Sequence, residues 1–247
     1  MIKAVIFDLD GLLIDSEIVS YKIYKEILNQ FGHSFSIEEY AQNFSGKTEV
    51  KNVTNLIDTY NLPWTVEVGL DNVLKVEDKF INEGIDLKTG VKKLLTYLKD
   101  NNLKIAIASS STRDRALTIL RQHNIVEYFD EFVFGNEVEK GKPNPDIFLK
   151  ACDKISVNPE ECLVLEDSES GIQAAYSANI PVICIPDMKV PNQYYLNMTK
   201  AVLSMALAVF TLLPANAQIV KNDLLKGYKE GDVLEKTVYN DKRAPIN

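Results

Sequence analysis

Five short apolar runs, separated by helical patterns, constrain the fold of this 247-residue chain more than any other feature. Each run is continuously apolar, which is typical of parallel strands that are covered on both faces of a sheet. Strands that alternate with helices indicate an α/β fold with a doubly wound parallel sheet. The runs are KAVIFDL at 3–9, KIAIA at 104–108, EFVF at 131–134, CLVL at 162–165 and PVICI at 181–185, with helical patterns at 91–100, 113–123, 145–154 and 170–178.

The stretch between the first two runs follows a different pattern. Helical periodicity continues across residues 16–83 without a strand-like run. Such a stretch indicates a helical segment inserted after the first strand. We therefore predict a core domain formed by residues 1–15 and 84–213, a helical insertion at 16–83, and a C-terminal tail at 214–247 of uncertain structure.

The segment that begins at Lys200 resembles a secretory signal in an internal position. The basic residue precedes the run AVLSMALAVFTLLPANAQ, which contains an A-x-A pattern at its end. The apolar part is about 13 residues long, which is too short to span a bilayer. Two interpretations stay open. The segment is either a buried strand and helix that close the domain, or the result of a fusion or frame error that joins an unrelated exported protein to this chain.

Charge and cysteine content exclude several classes of protein. The net charge is −8, from 27 Lys and Arg against 35 Asp and Glu. It argues against a nucleic-acid partner, because binding to a phosphate backbone needs a basic surface. The three cysteines show no CxxC spacing, which argues against a disulfide framework or a zinc site. The N-terminal run reads as a strand rather than as an export signal, so we expect a cytoplasmic protein with no membrane partner.

Two acidic residues come directly after the first apolar run, in the sequence Asp8-Leu9-Asp10-Gly11. Residues two apart in a strand point to the same face, so we expect the two carboxylates to face one spot. One carboxylate could act as a nucleophile and the other as a general acid and base. Gly11 permits a tight turn beyond them. An acidic turn without a function is the alternative explanation.

Polar residues also follow the next two runs. Ser109 and Ser110 come after KIAIA, and Lys142 lies in the sequence GKPNPD that follows EFVFG. A hydroxyl at a strand end beside a helix N-terminus can donate to a phosphate oxygen, although helix capping explains serine there equally well. A lysine between a glycine and two prolines has few conformations, although a surface turn accounts for it as well.

A second pair of acids, Glu166 and Asp167, follows the fourth run. Paired carboxylates are natural ligands for Mg²⁺, which prefers oxygen atoms. An acidic N-terminal cap of the next helix would explain one of them but not both. Ligands in α/β sheets bind at the carboxyl ends of the strands. Four such strand ends offer two pairs of carboxylates, a hydroxyl and a lysine, and this combination indicates phosphoryl transfer with Mg²⁺.

The four segments DLDG, IAIASS, GKPNPDIF and LEDS resemble, in this order, the four motifs of the haloacid dehalogenase superfamily. The resemblance covers about residues 1–187. It implies a Rossmann-like core, a small α-helical cap formed by residues 16–83, a requirement for Mg²⁺, and a small phosphomonoester as the binding partner. It also implies a monomer.

The resemblance also implies a role for each motif residue. Asp8 would be the nucleophile that forms an aspartyl-phosphate, and Asp10 would protonate the leaving group and then activate water. The phosphoryl group would be held by Ser109, Ser110 and Lys142. The ligands of Mg²⁺ would be Asp8, the backbone carbonyl of Asp10, Glu166 and Asp167.

The predicted cap resembles those of β-phosphoglucomutase and of many sugar-phosphate phosphatases, including a subgroup with pseudouridine-5′-phosphatase. Ser20 stands where the mutase pattern has a histidine, and the loop at 46–49 lacks the arginine of the mutase. Glu17 and Lys47 are candidate cap contacts for the substrate. We predict an Mg²⁺-dependent phosphatase of sugar or polyol phosphates. The alternatives are a β-phosphoglucomutase-type phosphotransferase, or a non-catalytic chain with intact motifs and an aberrant C-terminus.

Overall fold

The computed structural model describes residues 2–202. Within them lies a parallel sheet of six strands in the order β3-β2-β1-β4-β5-β6. The strands are β1 (Ala4–Phe7), β2 (Lys104–Ser109), β3 (Glu131–Phe134), β4 (Cys162–Glu166), β5 (Val182–Cys184) and β6 (Ala201–Val202). This sheet confirms the prediction of a doubly wound α/β fold. Three of its strands fall within the predicted runs, and β2 and β4 each extend one residue beyond theirs.

Helices cover both faces of the sheet and form much of the stretch between β1 and β2. They are α1 (Ser16–Gln30), α2 (Ile37–Asn43), α3 (Glu49–Tyr60), α4 (Val66–Glu83), α5 (Val91–Asp100), α6 (Arg113–Gln122), α7 (Asp146–Ile155), α8 (Glu169–Ser177) and α9 (Gln193–Leu196). The central strand β1 is fully buried. Val5 and Phe7 belong to one apolar cluster, and Ala4 and Ile6 belong to another on the opposite face. Burial on both faces explains why the strands are continuously apolar.

Four of the five helices between β1 and β2 form the predicted insertion. The first begins at Ser16 and the last ends at Glu83, which are the limits predicted for the insertion. Its interior contains the closely packed rings of Tyr24, Tyr40 and Phe44. The division of the chain into a core domain and a cap domain stays a prediction.

The end of the predicted core reaches beyond the described part of the chain. Strand β6 contains the first two residues after Lys200 and pairs with β5. The rest of the signal-like segment and the predicted tail at 214–247 lie outside the described residues. Within residues 2–202, every helix is too short or too polar to cross a membrane.

Candidate active site

The carboxyl edge of the sheet brings the predicted residues of three neighbouring strands together. Phe7 of β1 is in register with Ile107 of β2 and Leu165 of β4. Asp8 therefore emerges between the ends of these two strands. Ser109 and Glu166 were expected just after their strands, but each is the last strand residue, because the pairing continues one residue further.

Asp8 and Asp10 were expected to share one face of a strand, but the chain turns directly after Asp8. Strand β1 ends at Phe7, so strand alternation does not place Asp8 and Asp10 on one face. The chain instead turns after Asp8, and backbone hydrogen bonds from Leu13 and Ile14 to the carbonyl of Leu9 close the turn. The two carboxylates are near enough for the charge of Asp10 to raise the pKa of Asp8, but each pairs with a different cation.

Lys142 is the cation that joins two of the buried acids. Its ammonium donates to Oδ1 of Asp8 and, at 2.7 Å, to Oε1 of Glu166, and its side chain is only 4% exposed. The other oxygen of Glu166 accepts from the backbone N–H and the hydroxyl of Ser168, at 2.7 and 2.9 Å. Since both carboxylates are buried, Lys142 offsets much of the cost of keeping them charged.

Two glycines make room for these acids. A Cβ atom at Gly171 would lie 1.6 Å from Oε1 of Glu166, so only glycine allows α8 to begin this close to the carboxylate. A Cβ atom at Gly11 would lie 2.3 Å from Oδ2 of Asp167, and Gly11 also has a φ of +78°. Both positions therefore require glycine, and the prediction of a tight turn at Gly11 is confirmed.

Three carboxylates of the edge converge on one point. Asp8, Glu166 and Asp167 each offer an oxygen within 4.8 Å of the others. Asp167 accepts no hydrogen bond and forms no ion pair among the described residues, although Asp8 and Glu166 each have a partner. A set of convergent oxygen ligands with one uncompensated acid fits a hard divalent cation such as Mg²⁺.

The pKa values of this cluster reflect burial first and charge second. Burial raises the pKa of Asp8 to about 7, while the ammonium of Lys142 opposes the rise. Burial raises the pKa of Asp167 well above its usual range, and the charges of Glu166 and Asp8 raise it further. Burial alone would lower the pKa of Lys142, but the two carboxylates beside it raise the pKa above its ordinary value. A bound cation would favour the charged form of the acids.

The two predicted serines lie at the end of β2. Ser109 is 1% exposed, and its hydroxyl oxygen accepts from the backbone N–H of Ser111 at 3.0 Å. Its own hydroxyl proton is therefore available to another acceptor. Ser110 is exposed at the same edge, and its carbonyl oxygen would lie 2.9 Å from a Cβ atom at Gly135.

The two predicted cap contacts differ in their surroundings. Glu17 accepts from the hydroxyl of Tyr40 at 2.9 Å and lines a pocket together with Asp167. Lys47 is exposed, lies outside the lining of that pocket and donates to the backbone carbonyl of Asn43. The lysine that lines the pocket is Lys189, from the loop after β5, which the sequence analysis missed.

Two further residues at the site were also missed. Asp187 lines the pocket and pairs with Lys88, which also binds Asp15 at 2.7 Å. Burial raises the pKa of Asp187 to about 6, against the opposing charge of Lys88. Asp187 follows the fifth apolar run by two residues, so the search for polar groups after each strand could have found it. The second is Arg115, whose guanidinium donates to Oδ2 of Asp10 at 3.1 Å.

Comparison with known proteins identifies the family. The model of the haloacid dehalogenase-like hydrolases matches residues 5–185. The chain belongs to this family. The predicted resemblance is therefore confirmed, and so is the prediction of a phosphoric monoester hydrolase, since many relatives are named as phosphatases.

The relatives include both of the predicted activities. A phosphorylated carbohydrates phosphatase from Thermotoga maritima is 33% identical over 178 residues, which cover 72% of this chain and 82% of the relative. A probable pseudouridine-5′-phosphatase from Drosophila melanogaster is 31% identical, with 81% and 89% covered. A β-phosphoglucomutase from Bacillus subtilis is 33% identical, with 72% and 80% covered. The crystal structure of a putative β-phosphoglucomutase from T. maritima has a TM-score of 0.74 at 28% identity, with 86% of this chain and all of that chain covered.

Proposed function

We propose that this chain hydrolyses phosphomonoesters of small sugars or polyols, with Mg²⁺ as cofactor and an aspartyl-phosphate on Asp8 as intermediate. The observation that carries the proposal is the position of Asp8 at the end of the central strand, paired with Lys142 and within 4.8 Å of two further acids. The names of the phosphatase relatives support the substrate class.

In the first half of the reaction, a carboxylate oxygen of Asp8 attacks the phosphorus atom. The ester P–O bond breaks, and Asp10 gives its proton to the departing alcohol oxygen. Ser109 and Ser110 would donate hydrogen bonds to the phosphoryl oxygens from the end of β2. Lys142 would balance the charge that gathers around the attacked group.

In the second half, Asp10 accepts a proton from a water molecule whose oxygen attacks the phosphorus of the aspartyl-phosphate. The bond between phosphorus and the Asp8 oxygen breaks, which restores the carboxylate and releases inorganic phosphate. Asp8, Glu166 and Asp167 would hold Mg²⁺ with their side chains, and Asp10 with its backbone carbonyl. When bound, Mg²⁺ supplies positive charge that offsets the repulsion between a carboxylate and a phosphate dianion.

The test is phosphate release from a panel of hexose, pentose, polyol and pseudouridine phosphates, with Mg²⁺ or with a chelator. We expect release that requires Mg²⁺ and falls at least about 1,000-fold in Asp8→Asn, because an amide is a poor nucleophile. The control is Asp58→Asn, an exposed position on α3. Activity of Asp8→Asn near that of the control would contradict the proposal.

A β-phosphoglucomutase-type phosphotransferase is the second candidate. The similarity to the B. subtilis enzyme favours it, while Ser20 in place of the histidine of the mutase pattern disfavours it. The same panel separates the two when it includes β-glucose 1-phosphate. Conversion of this compound to the 6-phosphate without release of phosphate would identify a mutase.

A further inference from the structure

Arg115 joins three elements of the molecule at the site. From the first turn of α6 its guanidinium donates to Oδ2 of Asp10 at 3.1 Å, to the hydroxyl of Ser111 at 2.8 Å and to Oε1 of Glu77 at 2.8 Å. The arginine side chain is 18% exposed. Burial alone would lower the pKa of Arg115, but the carboxylates of Asp10 and Glu77 raise it above its ordinary value.

These contacts connect the sheet edge with the helical insertion. Asp10 follows β1, while Glu77 lies on α4 between β1 and β2. Helices α6 and α4 have a second contact at the C-terminal end of α6. There the side-chain amide of Gln122 donates to the carbonyl of Ile81 at 2.7 Å. Helix α6 is therefore held against α4 at both of its ends, and the contact nearer to the sheet edge includes Asp10.

The two oxygens of Asp10 have different surroundings. Nη1 of Arg115 lies 2.9 Å from Oδ1 and 3.1 Å from Oδ2, and within the described residues it is Oδ2 that accepts a hydrogen bond, while Oδ1 is buried. The guanidinium thus contacts both oxygens and fixes the orientation of the carboxyl group. This is the arrangement that a general acid and base needs, since proton transfer depends on the position of the carboxyl group.

We propose that Arg115 is a positioning residue that orients the Asp10 carboxyl group for proton transfer and, through Glu77, makes this orientation depend on the placement of α4. The inference rests on the proposed function, because it assigns Arg115 a task in that reaction. Arginine suits the task because its planar fork of donors can serve several acceptors at once, which a lysine ammonium on a flexible stem does less well.

The chemistry of the leaving group provides the test. An alkyl phosphate loses an alkoxide that needs a proton donor, whereas p-nitrophenyl phosphate loses a phenolate that needs none. The ratio kcat/KM reports the steps up to cleavage of the ester bond. A variant that misplaces Asp10 therefore loses kcat/KM with the alkyl ester and keeps it with the aryl ester. A variant that merely perturbs the structure loses both alike.

We would measure kcat/KM for p-nitrophenyl phosphate and for the hexose or polyol phosphate that the wild-type enzyme hydrolyses best. In Arg115→Gln we expect a fall of about 30-fold with the alkyl ester, a part of the 10²–10⁴ that general acid catalysis contributes. With the aryl ester we expect a fall of less than about threefold. In Glu77→Gln, kcat/KM with the alkyl ester should fall about threefold, again without a matching fall with the aryl ester. The kcat/KM of Arg115→Lys with the alkyl ester should lie between those of wild type and Arg115→Gln.

The matched control is Arg113→Gln, which removes an exposed arginine from the same turn of α6 and should change both esters by less than about twofold. Thermal melts of all variants check that they fold. If Arg115→Gln fails to fold, Arg115→Lys and Glu77→Gln carry the test. An equal loss with both esters, or no loss, would overturn the positioning role while leaving the phosphatase intact. Absence of phosphate release by the wild-type enzyme would remove the proposed function and this inference with it.

Discussion

Charged side chains are held in different ways at the sheet edge and on the helices of the insertion. At the edge, Lys142 is buried between Asp8, which directly follows β1, and Glu166, which is the last residue of β4. On the helical side, Glu17 is held by the hydroxyl of Tyr40, and Lys47 is exposed on the surface. The edge is thus determined by backbone register, whereas the helical side depends on how side chains of separate helices pack.

This difference predicts where substitutions act. Changes at the edge should alter both the chemistry and the stability, since they leave buried charges without partners. Changes of less buried side chains around the pocket, on the helical side and in the loop after β5, should alter the affinity for substrate and leave the chemistry nearly unchanged, with Arg115 as the link between the sheet edge and the helices. Three substitutions test this contrast, in order of decreasing effect.

Lys142→Met should have the largest effect on activity and stability together. It leaves Asp8 and Glu166 buried without the ammonium, so the free energy of unfolding should fall by about 3 kcal/mol in the presence of a chelator. Phosphate release should fall at least about 1,000-fold, because the charge that balances Asp8 is lost. Urea unfolding and the phosphate assay measure the two effects.

Lys140→Met is the matched control for this substitution. Lys140 lies two residues earlier in the chain and is exposed, so its loss should change the free energy of unfolding by less than about 0.5 kcal/mol. A Lys142→Met protein as stable and as active as this control would show that the buried pairs contribute little. The contrast between the two sides of the site would then fail.

Asp167→Asn should show separately how Asp167 affects stability without metal and how it affects the requirement for Mg²⁺. Asp167 repels Asp8 and Glu166 and pairs with no cation of residues 2–202, so the substitution should raise the free energy of unfolding by about 1 kcal/mol when a chelator is present. It should also raise the Mg²⁺ concentration needed for half-maximal activity at least about tenfold, because one ligand loses its charge. Thermal melts and activity at graded Mg²⁺ measure both.

The control is a second Asp→Asn substitution that should change the free energy of unfolding in the opposite direction. Asp130→Asn also removes a carboxylate, but Asp130 accepts from the backbone N–H of Ile105 at 2.8 Å and pairs with Lys104, so its loss should destabilise the protein. If Asp167→Asn also destabilised the chelated protein, the side chain would have a structural partner. Its assignment as an uncompensated metal ligand would then be wrong.

The same contrast explains what the sequence could predict. Asp8, Ser109 and Glu166 were found because an apolar run is readable from the sequence and its end marks the edge of the sheet. The packing of α4 against α6 is not readable in this way. The contact of Arg115 with Glu77 joins residues 38 positions apart on two amphipathic helices, and their relative rotation is set by tertiary packing.

The sequence analysis also missed Asp187 and the exact limits of two strands. Asp187 lies after a strand, but a single acid in a loop has no second signal that would distinguish it from a turn residue. Ser109 and Glu166 fell just outside the predicted strands, because polar residues conceal a strand end whose pairing continues. The order of the elements and the chemistry of their ends were therefore more predictable than their exact limits.

The smallest predicted effect concerns the two lysines near the pocket. Lys189 lines the pocket together with the carboxylates of Glu17 and Asp187, and it forms no salt bridge within residues 2–202. Its charge is therefore available to attract a phosphate dianion. Lys189→Ala should raise KM about fivefold at low salt, with kcat nearly unchanged, and high salt should reduce this difference because it screens an exposed charge.

Lys47→Ala should change KM by less than about twofold, since the Lys47 ammonium donates to a backbone carbonyl outside the pocket and stays exposed to solvent. Steady-state kinetics at low and high salt compare the two variants directly. A larger rise of KM in Lys47→Ala than in Lys189→Ala would reverse the assignment. The turn that carries Lys47 would then have to move towards the substrate, and side-chain placement on the helical side would depend on the bound ligand as well as on helix packing.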